Sequence, residues 1–377
     1  MEGFMQKDKL VPDIRFKGFE EEWKTNRLCE VALKFDNLRI PVSESLRIKG
    51  PYPYYGANGV QDYVSGFTHN GEFVLIAEDG ANDLDSYPSN YVNGKFWANN
   101  HVHVLQGFKD TLDNKFLNYS FTNVSFKPLL TGGDRAKLTA GALDTINIKV
   151  PIFNEQRKIG SLLNNIDQLL LSQKSKLEKL QRIKQSLLNK MFVSDDQKIP
   201  EIRFKGFHQE WKRVMLSNCL DYERPDKYIE KLPLLEFGQI PVLTANKSFK
   251  LGYTESQNYY AKGDCILFDD FTLDSKYVDF PFMVVSSALK ILSLKNSQDS
   301  LPYYFAILKN NTFESQGHAR HYISIVAKTP IKISDNIEER NQIGLLFTVL
   351  DSLIHSQEQK LEKLNNIKQA LLEKMFC

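Results

Sequence analysis

Two long segments of the chain carry apolar residues at spacings of three and four positions, which is the pattern of an amphipathic helix. In residues 155–192 the apolar positions are Ile159, Leu162, Leu163, Ile166, Leu169, Leu170, Leu177, Leu180, Ile183, Leu187, Leu188 and Met191. In residues 339–376 they are Ile343, Leu346, Phe347, Leu350, Leu353, Ile354, Leu361, Leu364, Ile367, Leu371, Leu372 and Met375. Neither Pro nor Gly interrupts the pattern after Gly160 or Gly344. Each segment is therefore predicted to be one helix, about 57 Å long at 1.5 Å per residue.

These segments are an internal repeat, since about 21 of 38 aligned positions are identical. A second repeat pairs residues 11–24, VPDIRFKGFEEEWK, with residues 199–212, IPEIRFKGFHQEWK, at about ten of fourteen positions. The chain is thus predicted to be two tandem halves, each with a short motif, a variable block and a long helix. The blocks, roughly 25–153 and 213–337, show no comparable likeness. Either one scaffold presents two different recognition surfaces, or both blocks have only a structural role and their sequences have diverged.

Each apolar stripe is narrow, so a lone helix would leave it in water, and the obvious partner is the other repeat. Gln173 and Gln357 occupy the same place in the two stripes. Either they are buried and fix the register of the pair, or they lie solvated on its rim. A pseudo-twofold arrangement would make the pair antiparallel, but tandem repetition alone also allows a parallel pair.

The variable blocks are predicted to be small mixed folds. Short β-rich runs such as FVLIAED and DCILFDDF alternate with turn-forming residues, and LPYYFAILKNNT is expected to be a helix. The predicted fold class is α+β, with two mixed domains separated by two long helices. The predicted segments are 1–153 and 193–337 for the domains, and 154–192 and 338–377 for the helices.

The composition is that of an ordinary globular protein, with 42% apolar and 25% charged residues among 377. No apolar run is long enough to span a bilayer and the first residues are not of signal-peptide type, so a cytoplasmic location is expected. The four scattered cysteines are expected to be reduced thiols. A formal charge of +2 argues against a nucleic-acid partner. Residues 154–192 are an exception with 8 basic and 3 acidic residues, either a solvated helix face or a phosphate contact.

Recognisable catalytic chemistry is missing from the sequence. There is neither a Walker-type phosphate loop nor a Gly-x-Gly-x-x-Gly turn. The fragment His101-Val102-His103 is the best metal-like candidate, and Glu78-Asp79 and Asp269-Asp270 could serve as acid–base pairs, but none sits in a known constellation. No catalytic residue, cofactor or metal is predicted. Two functions compatible with this are a coiled-coil adaptor that binds proteins only, and an enzyme with an unfamiliar acid–base pair.

The repeated order of motifs resembles the specificity subunit of type I restriction–modification systems. The likeness rests on Pro-(Asp/Glu)-Ile-Arg-Phe-Lys-Gly-Phe…Glu-Trp, a variable block, a Pro-x-x-x-Glu-Gln turn and a helix ending in Leu-Leu-x-Lys-Met-Phe. Residues 53–63, PYYGANGVQDY, are similar to the start of a target recognition domain of that family. The turn is Pro151–Gln156 in the first half, but Ile337-Glu338-Glu339-Arg340 in the second. This departure leaves the start of the second helix open.

The resemblance implies a non-catalytic subunit that binds double-stranded DNA. Each variable block would be a target recognition domain for one half of a bipartite, asymmetric sequence, and the helices would form an antiparallel coiled coil that sets the gap between the halves. The implied partners are two modification subunits, which methylate adenine at N6 with S-adenosylmethionine, and restriction subunits, which use ATP and Mg²⁺. Those cofactors belong to the partner chains.

Base reading favours Arg or Lys for guanine and Asn or Gln for adenine, with aromatic groups beside them. Residues of these kinds lie beside Gly- or Asn-containing turns in both blocks, where loops can enter a groove. The predicted readers are Arg47, Lys49, Tyr54, Asn58, Gln61, Arg135 and Lys137 in the first block, and Asn246, Lys247, Lys250, Tyr259, His318, Arg320 and His321 in the second.

Lengthening the helical spacer is expected to move the half-sites. A rod of about 57 Å compares with about 34–36 Å per turn of DNA, so blocks near its ends could reach sites one to one and a half turns apart. Inserting one or two helical turns within 172–188 should change the spacer length of the target or abolish binding, as measured by methylation of duplexes with varied spacers. Methylation of the unchanged target at an unchanged rate would contradict a spacer role.

Overall fold

The computed structural model describes residues 9–133, 136–194, 196–231, 233–244, 248–311 and 321–377. The chain divides into two compact units. Unit 1 contains residues 1–174 and 360–377, and unit 2 contains residues 175–359. Each unit holds one variable block and part of both long helices. The segment boundaries predicted from the sequence, which give each helix a segment of its own, stay a prediction.

Unit 1 is a mixed fold built on one large sheet. Its strands are β1 (Lys24–Arg27), β2 (Ala32–Lys34), β3 (Lys49–Gly56), β4 (Gly59–Val64), β5 (His69–Ala77), β6 (Ser89–Ala98), β7 (Val102–Gly107) and β8 (Asn147–Val150). Its short helices are α1 (Leu28–Val31), α2 (Asn114–Ser120) and α3 (Ala140–Asp144). Six strands form a sheet in the order β2-β7-β5-β6-β3-β4, in which β3 and β6 are parallel. β1 pairs with β8 in a separate ribbon.

The predicted strand FVLIA lies at the centre of unit 1, as part of β5, and is buried on both faces. Val74 and Ile76 face the main core, whereas Phe73 and Leu75 belong to a second cluster on the opposite side. The main core is centred on Trp23, whose ring contacts Phe116 and Phe376 at centroid distances of 5.6 and 6.0 Å. Successive side chains of β5 point to opposite faces of the sheet, so this strand contributes to both hydrophobic clusters.

The described residues of unit 2 form nine strands and two short helices. The strands are β9 (Lys212–Met215), β10 (Leu220–Glu223), β11 (Ile240–Leu243), β12 (Lys250–Thr254), β13 (Cys265–Asp269), β14 (Ser275–Val278), β15 (Met283–Val284), β16 (Leu289–Leu294) and β17 (Pro330–Ile333). The helices are α5 (Leu301–Asn310), which was predicted from LPYYFAILKNNT, and α6 (His321–Ser324). The sheets have the orders β10-β16-β13-β14, β12-β11-β15 and β17-β9.

The two units share one topology although their blocks have no recognisable sequence likeness. In both, the first and last strands pair with each other, as β1 with β8 and β9 with β17. In both, a hairpin joins a later strand in parallel, β3–β4 through β6 and β11–β12 through β15. In unit 1 the single strand β6 pairs with both β5 and β3. In unit 2 two separate strands, β14 and β15, take its place, and Pro281, which has no N–H to donate, lies between them. The predicted α+β class is confirmed.

The two long helices are confirmed as α4 (Phe153–Met191) and α7 (Ile337–Lys374). In unit 1 the first part of α4 meets the last part of α7, where Lys368 Nζ lies 2.6 Å from Asp167 Oδ1. In unit 2 the last part of α4 meets the first part of α7, where Lys184 pairs with Asp351. The beginning of each helix meets the end of the other in both units, so the helices run antiparallel.

The two glutamines of the apolar stripes differ in burial. Gln357 is buried within unit 2, and Gln173 is partly buried within unit 1. Both take part in polar interactions. A role in fixing the register of the helices stays a prediction.

A buried ion pair ties each repeat motif to the start of a long helix. Arg15 Nε and Nη2 donate to Glu155 Oε1 and Oε2 at 2.7 and 2.8 Å. Arg203 makes the same two bonds to Glu339 at 2.6 and 2.8 Å. Both glutamates are 0% exposed, so each carboxylate depends on its arginine for compensation of its charge.

Gly160 and Gly344 allow a second helix to approach each long helix. A Cβ on Gly160 would lie 2.7 Å from the backbone nitrogen of Phe116, and one on Gly344 would lie 3.1 Å from that of Tyr303. These nitrogens belong to the first turns of α2 and α5, which are capped by Asp113 and Ser300. A side chain at either glycine would push the capped turn away.

The departure in the turn before α7 has a structural reason. Gln156 bridges to the start of α2, because its Oε1 accepts from the Asp113 backbone N–H at 2.9 Å. Arg340 stands at the corresponding place in unit 2 and donates to both oxygens of Asp299, just before α5, at 2.8 and 2.9 Å. Two different side chains therefore make the same connection, and α7 begins at Ile337.

Removing one partner of a buried ion pair is expected to cost more than removing both. Arg15→Met should lower the free energy of unfolding by about 3–5 kcal/mol, because Glu155 stays buried without its partner. Arg15→Met combined with Glu155→Leu should recover most of that loss. Urea denaturation followed by tryptophan fluorescence measures both, with Arg157→Met at an exposed position as the control. Equal losses in the single and double variants would contradict this account.

Candidate nucleic-acid interface

Two of the predicted readers of unit 1 pair with Asp62 in the β3–β4 hairpin, and a third contacts one of them. Lys49 Nζ lies 2.6 Å from Asp62 Oδ1, and Arg47 Nη1 lies 3.8 Å from Oδ2. The Arg47 guanidinium also lies 4.2 Å from the centroid of the Tyr54 ring, in cation–π geometry. The hydrogen bond from Lys49 lowers the pKa of Asp62. The carboxylate is therefore charged at neutral pH and holds both cations in place.

Tyr54 supports Arg47 from inside the unit. Its side chain is 1% exposed. Its hydroxyl accepts from the Val42 N–H at 3.0 Å and donates to the Val42 carbonyl at 3.3 Å. The sequence placed Tyr54 among the base-contacting residues, but its ring positions Arg47 from the core side.

The fold brings Asn58 and Lys137 to the same segment, residues 78–82. Asn58 Nδ2 donates to the Gly80 carbonyl at 2.9 Å, and its Oδ1 accepts from the Asn82 N–H at 2.9 Å. Lys137 Nζ lies 2.8 Å from Glu78 Oε1. Two predicted readers that are far apart in the sequence therefore border one loop.

Glu78 is the centre of a network of charged groups. Its carboxylate pairs with Arg39 as well as with Lys137. His103 lies on the other side, with Nδ1 2.6 Å from Asp36 Oδ2 and Nε2 2.8 Å from the Leu138 carbonyl oxygen. Both ring nitrogens of His103 therefore lie within hydrogen-bond distance of an oxygen atom.

The same residues satisfy the distance criterion for a small metal site. Asp36, Glu78 and His103 offer ligand atoms within 4.8 Å of one another. Each of those atoms already has a partner, however, and Arg39 and Lys137 neutralise the Glu78 carboxylate. We therefore assign an ion-pair network to this cluster. The other histidine of the metal-like fragment, His101, pairs separately with Asp79.

The Glu78 network is expected to make unit 1 sensitive to acid. Burial raises the pKa of Glu78, but hydrogen bonds from Lys137 and Arg39 outweigh it, and the net pKa is lowered from 4.5. Because the folded-state pKa is depressed, the stabilisation is fully present above about pH 4.5 and is lost as the pH falls through the folded-state value. Glu78→Gln should lower the free energy of unfolding by about 1–3 kcal/mol at neutral pH.

Urea denaturation at a series of pH values measures this effect. The difference between wild type and Glu78→Gln should shrink as the pH falls below about 4.5. Glu44→Gln, at an exposed position, is the control. A difference that stays constant with pH would show that Glu78 stabilises the unit by packing and not by charge.

In unit 2 the structure describes fewer of the predicted readers. Lys250 Nζ donates to the Tyr253 hydroxyl at 2.7 Å and lies 4.7 Å from the centroid of that ring. Tyr259 is partly exposed. In unit 1, Gln61 is exposed and accepts from Asn99 Nδ2 at 3.5 Å. The readers that lie outside the described residues are Arg135, Asn246, Lys247, His318 and Arg320, and of His321 the structure describes the backbone alone, as the first residue of α6.

Sequence reasoning named Glu78 only as part of a possible acid–base pair and missed that Glu78 and Asp62 hold basic readers. It also missed the exposed apolar residues near Arg47. Leu46 and Ile48 flank Arg47, in a stretch where apolar and polar residues alternate. Such alternation is typical of a half-buried strand. Here Glu44–Leu46 form a 3-10 turn before β3, and Leu46 and Ile48 are exposed, so the alternation did not mark a half-buried strand.

Among the described helices, none has the length and apolar content needed to cross a membrane. All four cysteines are free thiols.

Residues 20–182 match the model of a protein family described as the type I restriction modification DNA specificity domain. A protein of Haemophilus influenzae named as a type I restriction enzyme specificity subunit is 48% identical over 165 residues, which cover 44% of this chain and 42% of that protein. The EcoR124I/EcoR124II specificity subunit of Escherichia coli is 38% identical over 143 residues, or 36% of this chain and 35% of that one. These matches span about two fifths of the length of the relatives.

A solved structure resembles nearly the whole chain. The crystal structure of the type I restriction–modification S subunit from Mycoplasma genitalium superposes with a TM-score of 0.78 at 16% identity. The superposition covers 97% of this chain and 99% of that one. The similarity identifies the fold of both units and both long helices.

Proposed function

We propose that this chain, whose residues 20–182 belong to the type I restriction modification DNA specificity domain family, is a sequence-specific DNA-binding subunit that recognises a bipartite, asymmetric target. The observation that carries this proposal is that the frame of each unit, its buried Arg–Glu ion pair, is the same in both units, whereas the variable blocks differ. Arg15 and Arg203 make the same buried ion pairs, and the blocks that they enclose share a topology. The side chains on those blocks differ, as two readers of two half-sites require.

The proposed chain chooses the sequence and leaves the chemistry to other subunits. Two copies of a modification subunit would bind the duplicated frame and methylate adenine at N6 with S-adenosylmethionine. Restriction subunits would join them and use ATP and Mg²⁺. The chain itself is proposed to be non-catalytic and to act in the cytoplasm. Basic residues held by Asp62 and Glu78 and a near-neutral overall charge support modest nonspecific affinity, with partner subunits supplying part of the phosphate contact.

A protein-binding adaptor would account for the long helices but not for the different surfaces of two equally folded blocks. A protein partner that docks on both units would favour the same surface residues in both units, just as both units keep the same Arg–Glu pair. The pairing of Arg47 and Lys49 with Asp62 of the β3–β4 hairpin, beside the Tyr54 ring, favours the DNA reader.

Exchanging one block is expected to change one half of the target only. The full chain, bound to its modification subunit, is incubated with random duplexes, and the bound fraction is sequenced. Wild type should enrich two short half-sites separated by a fixed spacer. A chimaera in which residues 25–152 come from a relative, with the 11–24 motif and α4 retained, should change one half-site and keep the other. Enrichment of no motif, or a change in both half-sites, would contradict the proposal.

A further inference from the structure

The segment that leads into β3 exposes two large apolar side chains next to two basic ones. Leu46 is 73% exposed and Ile48 is 75% exposed. Arg47, between them, and Lys49, after them, are both held on Asp62. Single exposed apolar residues are common on protein surfaces, but two neighbours at this exposure form a patch that favours a contact.

A shallow apolar hollow of about 140 Å³ lies beside this patch. Leu46 and Ile48 form part of its rim, and Tyr54 and Trp97 line it from within. The polar atoms of both aromatic residues are engaged by backbone, since Trp97 Nε1 donates to the Ile40 carbonyl at 2.7 Å and the Tyr54 hydroxyl bonds to Val42. The hollow therefore offers carbon surface to a small apolar group, with the Arg47 charge next to it.

Unit 2 exposes apolar residues at the corresponding place in its fold, the segment that leads into β11. Phe237 is 78% exposed, and Leu235 is exposed as well. Leu251, on the paired strand β12, is also exposed and follows the basic residue Lys250. The two blocks differ in sequence, so the shared placement of exposed apolar side chains is a second, independent observation.

The different residues at this shared place indicate which partner they meet. Where the units perform one task, they keep the same side chains, as in the Arg15–Glu155 and Arg203–Glu339 pairs. Before the hairpin, unit 1 has Ser-Leu-Arg-Ile-Lys and unit 2 has Leu-Leu-Glu-Phe-Gly. One protein docking on both units would meet unlike surfaces, whereas two different half-sites require them. Arg47, Lys49 and Lys250 near these apolar residues suit a polyanion, although Asp62 pairs with the first two and Glu236 precedes Phe237.

We propose that these apolar residues read thymine. Leu46 and Ile48 of unit 1 contact C5-methyl groups in the major groove of one half-site, and Phe237 of unit 2 does so in the other. The methyl group is the apolar feature that a base edge presents in that groove, and apolar side chains are its usual partners. The inference rests on the proposed DNA-reading function and assigns it to side chains outside the predicted polar readers.

Replacing thymine by uracil, which lacks the methyl group, tests the contact directly. The full chain with its modification subunit is titrated with the selected target and with duplexes in which single thymines are replaced by uracil. The variants are Leu46→Ser with Ile48→Ser, and Phe237→Ser. All three side chains are exposed, so these variants should fold as wild type does. Leu33→Ser, at an exposed position on β2, is the matched control.

For wild type, uracil should weaken binding about fivefold to tenfold at one or more positions of each half-site. The Leu46/Ile48 variant should bind the thymine duplex more weakly by a similar factor. It should be insensitive to uracil in one half-site and keep its sensitivity in the other, and Phe237→Ser should show the converse. Leu33→Ser should behave as wild type in every titration.

Three results would overturn the inference while leaving the DNA-reading function intact. The first is a selected target that lacks thymine in a half-site, and the second is a wild type that binds thymine and uracil duplexes equally. The third is a pair of variants that keep the base preference but release the modification subunit, which would assign the patches to protein docking. A wild type that selects no target overturns the proposed function, and this inference with it.

Discussion

The rest of the molecule depends on the buried pairing of Arg15 with Glu155 and of Arg203 with Glu339. Each pair joins the segment that enters a variable block to the helix that leaves it, and both carboxylates are fully buried. The ribbons β1–β8 and β9–β17 close each block at the same two ends. Because both ends of a block are fixed in this way, the residues between them are free to diverge without loss of the frame. This separation explains how two unlike surfaces persist on one repeated scaffold.

The charges of unit 1 are balanced locally. Arg47 and Lys49 are held on Asp62, while Arg39, Lys137 and His103 surround Glu78 and Asp36. Basic side chains that are already oriented lose less conformational entropy when they bind DNA. Carboxylates beside them repel the phosphate backbone of a DNA that does not present the right hydrogen-bond acceptors. A near-neutral net charge, which first argued against a nucleic-acid partner, is thus compatible with a DNA-binding subunit that has high sequence specificity and modest nonspecific affinity.

Both long helices and the duplicated plan could be predicted because spacing and identity are properties of the sequence itself. The direction of the helices could not, since tandem repeats fit either orientation, and the contacts Lys368–Asp167 and Lys184–Asp351 decide it. The common topology of the blocks was hidden because many apolar residues suit a buried strand. Among the candidate readers, the buried position of Tyr54 could not be predicted, since the sequence of a hairpin does not reveal which aromatic ring faces the core. Leu46 and Ile48 were overlooked because a search for base-reading residues favours polar groups.

The packing of Phe376 on Trp23 has a consequence for biosynthesis. Leu371, Leu372, Met375 and Phe376 complete the core that begins with Trp23. A ribosome makes them only after it has made all of unit 2. Unit 2 thus has its whole chain available first, and the nascent unit 1 waits without the Phe376 ring that packs on Trp23 and Phe116. The order in which the units are finished is the reverse of the order in which they are begun, and the interval is one in which chaperones have a surface to bind.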